Sequence, residues 1–149
     1  MTRIHRKHLT VSLILLAAWA LSACQTPDPL PFDQVCQPEN NQQVIATDGY
    51  FSMGATLYCS DASGDYRCGL VFNAYPDGDL DFSADVKEGN RRNQMKHLDS
   101  GYVESDLQIK TSDGSVVGVG EHVTVSGKML VTDDVCLMLV DKVSLFDPE

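Results

Sequence analysis

The sequence predicts an all-β domain with little helix, running from Val44 to Glu149 and preceded by a leader and an extended segment. Three observations carry that expectation. Apolar residues recur at every second position over long stretches after Val44, the spacing of strands with one buried face. Turn-forming clusters cut the alternation at short intervals: Ala62-Ser63-Gly64-Asp65, Pro76-Asp77-Gly78, Ser112-Asp113-Gly114-Ser115 and Thr132-Asp133-Asp134. Cys36, Cys59, Cys68 and Cys136 form an even set. In a small chain from an oxidising compartment, such a set reads as two cross-links.

The leader comes first. Arg3, Arg6 and Lys7 open the chain with positive charge, and Leu9 to Leu21 follows as an apolar run broken by Thr10 and Ser12. Ser22 and Ala23 are small. Basic, apolar, small is the layout of a secretory signal. Residues 9–21 fall short of the roughly 20 apolar residues that a membrane-crossing helix requires. The signal ends Leu21-Ser22-Ala23-Cys24, which resembles the lipobox of bacterial lipoproteins. The resemblance is confined to the first 24 residues. It implies removal of residues 1–23, a diacylglycerol on the Cys24 sulfur and an acyl chain on its new amine. One acyl chain holds a protein marginally, at about 0.8 kcal/mol per buried CH₂, whereas two or more hold it durably. Gln25, where an Asp would favour inner-membrane retention, implies the outer membrane, facing the periplasm.

Without residues 1–23 the chain keeps eight of its 11 basic residues and all 21 acidic ones. So acidic a body repels phosphate backbones and excludes nucleic acid as a partner. It favours solubility and a basic protein partner.

Residues 24–43 hold Pro27, Pro29, Pro31 and Pro38 and the polar run Glu39-Asn40-Asn41-Gln42-Gln43. This composition predicts an extended tether, unable to form a core, whose second half is pinned through Cys36. From Val44 the strands begin. Phe51, Met53, Ala55, Leu57 and Cys59 alternate with polar or small neighbours, and Cys68, Leu70, Phe72 and Ala74 alternate beyond the next turn. A hairpin turning at Ser63-Gly64 sets Cys59 opposite Cys68 and Leu57 opposite Leu70. Opposed strand residues lie about 4.5–5.5 Å apart at Cα, within reach of a disulfide. Four cysteines allow three pairings. The register favours Cys59–Cys68, which leaves Cys36–Cys136.

A third strand follows, with Leu80, Phe82, Ala84 and Val86 inward and Asp81, Ser83, Asp85 and Lys87 outward. Met95 and Leu98, three residues apart, predict a short helix within residues 91–98. Leu107, Ile109 and Thr111 lead into a hairpin at Ser112–Ser115 that returns through Val116 and Val117. Val123, Val125 and Met129 form a strand broken by Gly127. Residues 135–140 are continuously apolar, as in a strand covered on both faces. Three strands, a short helix, a hairpin and two strands resemble the OB-fold, a five-stranded Greek-key barrel. Another small antiparallel barrel or a sandwich is the alternative. The resemblance spans residues 44–149 through loose motifs, chiefly Asp113 to Lys128 followed by Cys136 to Val143.

Candidate chemistry is sparse. Asp77, Asp79, Asp81, Asp85 and Glu88 fall at calcium-loop spacing, but Phe82 stands where that loop needs Gly. A strand explains the stretch better. His97 and His122 lack a ligand partner at metal spacing, and His122 is expected to be solvated. No Cys-x-x-Cys, phosphate loop or nucleophile elbow occurs. Neither an enzyme nor a cofactor is expected. Arg91, Arg92 and Lys96 form a basic patch beside Asn93, Gln94 and His97. Tyr50, Tyr58 and Tyr75, placed near the first hairpin and joined by Arg91 and Arg92, make the candidate ligand face, since tyrosines suit sugar stacking or protein contacts. The expected function is that of a non-catalytic envelope lipoprotein whose barrel binds a protein partner or wall glycan. The alternative is an acidic immunity or inhibitor lipoprotein docking on a basic secreted hydrolase.

Overall fold

A computed structural model describes residues 26–54, 57–61, 66–87, 93–111 and 113–148. Its strands are β1 (Val44–Ser52), β2 (Tyr58–Ser60), β3 (Arg67–Asn73), β4 (Asp81–Lys87), β5 (Asn93–Met95), β6 (Ile109–Thr111), β7 (Val116–Val117), β8 (His122–Thr132) and β9 (Val135–Leu145). Among the described residues no helix is long and apolar enough to cross a membrane.

Five strands close into a barrel in the order β1-β8-β9-β4-β3, with β3 pairing back onto β1. All neighbours run antiparallel except β4 and β9, which are parallel. Numbered along the chain, the barrel reads first, fourth, fifth, third, second. This is the Greek-key connectivity of an OB-like barrel. β2 takes up the alternation of β1 after Gly54, whose φ is +61°, and pairs with β3. Cys59 opposes Cys68 there, and the two are bonded. The turn residues 62–65 lie outside the described residues. The alternation read from sequence is for most positions the alternation of burial: Phe51, Leu70, Phe72, Phe82, Ala84, Val86, Val123, Val125, Met129, Met138 and Val143 face the core, whereas Leu80, expected inward, precedes β4 in the turn and is 47% exposed.

Gly127 marks a β-bulge, where the register between β8 and β9 shifts. A Cβ built on it would meet the Leu139 carbonyl oxygen at 2.2 Å, so the barrel closes where a side chain is missing. Glycine at a tight bend in a barrel strand serves this purpose.

Three expectations need correction. Residues 93–95 are a strand, not part of a helix: β5 pairs with β6, setting Met95 opposite Ile109. Lys96 N–H then donates to the Gln108 carbonyl, and Leu98 N–H to the Tyr66 hydroxyl. The free edge of the β6–β7 hairpin captures the segment, and Met95 and Leu98 share a buried side because the chain leaves the strand between them. The resulting three-stranded sheet joins the third and fourth barrel strands and sinks Met95, Leu98, Leu107, Ile109 and Val117 into the common core. Residues 135–140 are not covered on both faces either. Val135 is 48% exposed and Leu137 and Leu139 only half-buried.

The proline-rich segment is pinned, and from further upstream than Cys36. Pro29 bridges to Ala46, and Leu30 N–H donates to the Ala46 carbonyl at 2.8 Å. Thr47 Oγ1 donates back to the Leu30 carbonyl. Phe32 lays its ring over Phe72 and Phe82, with centroids 6.0 and 5.2 Å away. Val35 is fully buried, contrary to the expectation that this stretch joins no core. Cys36 is bonded to Cys136, and Gln42 and Gln43 exchange backbone hydrogen bonds with Met129. Residues 29–43 are thus a strap. Prolines preclude a ladder, but apolar side chains at Leu30, Phe32 and Val35 are enough to dock it.

Candidate binding face

The outer surface of β2, β3 and β4 holds the most varied chemistry. The ladders set Tyr58 opposite Gly69, Gly69 opposite Asp85, and Asp85 opposite Leu139, so these four form one row on the same face. Tyr58 is 73% exposed. A Cβ built on Gly69 would meet nothing closer than the Tyr58 carbonyl oxygen at 3.8 Å, so the position is an open notch beside the tyrosine. Arg67 lies two residues back on β3 and therefore on the same face. Its Nη1 donates to Asp85 Oδ2 at 3.0 Å, and their side chains are 35% and 15% exposed. The other carboxylate oxygen, Oδ1, is buried and without a partner among the described residues. A desolvated acceptor left unpaired costs about 1–3 kcal/mol, so its retention calls for a reason. Here the carboxylate holds a guanidinium, a group with five donors, at the edge of the notch. An aromatic face, an unfilled position and a fixed cation are together able to stack a flat or sugar-like group and donate hydrogen bonds to it.

The residues expected to form the ligand face do not converge. Tyr58 belongs to the notch. Tyr50 is half-buried in a stack with His122, at 4.6 Å between centroids, and His122 stacks on Phe146 at 3.9 Å. His122 is therefore half-buried between two rings rather than freely solvated. Register explains this: Tyr50 directly opposes His122, and Phe146 N–H donates to the His122 carbonyl. Tyr75 is 67% exposed in the β3–β4 turn, closed by Gly78 N–H donating to the Tyr75 carbonyl. Arg91, Arg92, Glu88 and Cys24 lie outside the described residues. Lys96 is exposed, and the His97 ring packs at a tilt against Tyr66, with centroids 4.1 Å apart. Asp81 to Lys87 is a strand, with Asp85 committed to Arg67. Among the described residues no cluster of His, Cys, Asp or Glu is placed to hold a metal ion.

A second feature is an open groove of about 690 Å³ beside the β3–β4 turn. Asp77, Glu104 and Glu121 stand around it, and Leu107, Val116 and Val119 supply apolar surface. Nearby, the β6–β7 turn is fixed by Asp113. Its carboxylate accepts hydrogen bonds from the Thr111 hydroxyl and the Ser115 N–H. These bonds, the Thr111 hydroxyl first, hold Asp113 below its usual acidity range.

Sequence reasoning missed Arg67, Gly69 and Asp85. The signal was present: the register that pairs Cys59 with Cys68 also places Tyr58 against Gly69 and turns Arg67 outward. Comparison of the chain with protein families, curated proteins and solved structures yields no match.

Proposed function

We propose that this chain is a non-catalytic lipoprotein of the bacterial envelope. It is anchored through acyl chains on Cys24, in the outer membrane facing the periplasm, and its OB-like barrel binds a protein partner or a wall glycan. The observation that carries the binding role is the notch formed by Tyr58, Gly69, Arg67 and Asp85. It lies on the second and third barrel strands, the surface through which OB-folds take their ligands. The anchor is supported by Leu21-Ser22-Ala23-Cys24 behind a basic, apolar leader. Disulfides at Cys36–Cys136 and Cys59–Cys68 fit an oxidising compartment. Mild crosslinking of intact envelopes followed by pull-down tests the reading. The wild-type chain recovers a specific protein or wall fragment, and Tyr58→Ala recovers little of it. Recovery of neither from the wild type, in repeated experiments, counts against the proposal.

The groove bearing Asp77, Glu104 and Glu121 favours one second reading. An immunity or inhibitor lipoprotein would use such a surface to engage a basic secreted hydrolase. Deletion of the gene then sensitises cells to a lysozyme-type enzyme or toxin, and unchanged survival argues against it.

A further inference from the structure

We infer that the barrel is held against the lipid surface itself, with its β1–β8–β9 side toward the bilayer and the Tyr58–Gly69 notch facing away. This rests on the acyl anchor at Cys24 proposed above. Had residues 24–43 been a free tether, the extended chain would reach roughly 60 Å from the membrane, at 3.3–3.6 Å per residue. The strap removes most of that reach. Backbone pairing begins at Pro29 and Leu30, which are bonded to Ala46. Only five residue steps separate Cys24 from Pro29, a span of at most about 18 Å. The hydrogen bond from Lys142 Nζ to Thr26 Oγ1, at 3.1 Å, shortens the free leash further. A domain of this size has a radius of gyration of about 13 Å and is roughly 30 Å across. The leash is therefore shorter than the body it holds.

Topology fixes which side is held. Ala46 opposes Ser126, and Ser126 opposes Lys142, so the leash meets one cross-strand row spanning β1, β8 and β9. The leash is bonded at the two ends of this row, to Ala46 on β1 and to Lys142 on β9, with β8 between them, and β3 and β4 complete the ring on the side opposite β8. The outer face of β3 and β4 therefore points away from the leash. A partner reaching the notch approaches from the aqueous side, across the barrel from the lipid headgroups.

The test uses the full lipidated chain in vesicles of phosphatidylethanolamine and phosphatidylglycerol carrying an energy-acceptor lipid. A donor dye is introduced through a non-natural amino acid at Ser144, beside the leash row, or at Gly69, on the far side. With a separation of up to roughly 30 Å between the two faces, transfer to the membrane is expected to be at least about twofold higher from position 144 than from position 69. A flexible Gly/Ser spacer of about 20 residues inserted between Gln25 and Thr26 adds roughly 25 Å of mean reach and abolishes the difference. Equal transfer from both positions, in protein that is bound to the vesicles, overturns the inference. If the chain fails to bind vesicles whether or not Cys24 is replaced by Ser, the anchor reading fails instead, and the inference with it.

Discussion

Two glycines on barrel strands are predicted to respond in opposite ways to the same substitution. In Gly127→Ala the new methyl falls 2.2 Å from the Leu139 carbonyl oxygen, 2.8 Å from its carbon and 2.9 Å from Met138 Cγ. Two of these three atoms are backbone, so relief requires β8 and β9 to part by about 1 Å beside the bulge. That stretch takes neighbouring hydrogen bonds beyond their working range of roughly 3.2 Å. Losing two such bonds at about 1 kcal/mol each, with overpacking strain of about 1–3 kcal/mol, gives a destabilisation of roughly 3–5 kcal/mol. For a domain near 100 residues this lowers Tm by about 15–25 °C. In Gly69→Ala the methyl meets only the Tyr58 carbonyl oxygen at 3.8 Å, an ordinary contact. Relief of the glycine's backbone entropy then stabilises by up to about 0.5–1 kcal/mol. Thermal unfolding of the two oxidised variants, followed by circular dichroism, reads the contrast. A Gly127→Ala protein melting within about 5 °C of wild type refutes the packing argument for the bulge.

Further expectations concern the strap, the turn and the notch. Replacing Cys36 and Cys136 with Ser opens a loop of 100 residues and costs about 4.7 kcal/mol on the chain-entropy estimate, measurable as a lower urea midpoint; an unchanged midpoint contradicts a closing role for the strap. Phe32→Ala removes a ring half-buried on Phe72 and Phe82 and is expected to cost about 2 kcal/mol, with hydrogen exchange of residues 29–35 accelerating before that of the barrel. Asp113 has a folded pKa below its unfolded value, so its stabilisation is complete above the ordinary value of 3.8 and is lost as pH falls through the lower folded one. Amides of β6 and β7 are accordingly expected to lose protection in that acid window ahead of the barrel, and Asp113→Asn to remove the pH dependence. Tyr58→Ala leaves stability nearly unchanged, since the side chain is mostly exposed, yet reduces capture of the partner.

The barrel was legible because burial in it follows one rule, alternation, and the turns between its strands carry their own chemistry. The Cys59–Cys68 register followed from the same rule. The β5 segment was not legible: Met95 and Leu98 suit a helix in isolation, and only the exposed edge of β6, brought close by the fold, makes a strand the better use of that backbone. The strap escaped notice because three apolar residues among prolines make no periodic signal. Of the candidate face, Tyr58 was found by its residue type. Arg67 and Asp85 were not, because they are eighteen residues apart and only adjacent strands bring them to 3.0 Å. His122 was read as solvated because sequence shows its strand face but not the rings of Tyr50 and Phe146 packed on either side.

Everything proposed about where this barrel works, and what reaches it, depends on the chemistry at Cys24. The mass of the mature chain isolated from bacterial membranes measures it directly. The account predicts a chain beginning at Cys24 and heavier than its amino acids by a diacylglyceryl group and an amide-linked acyl chain. A mature chain that begins elsewhere, or that begins at Cys24 with no added mass, contradicts it.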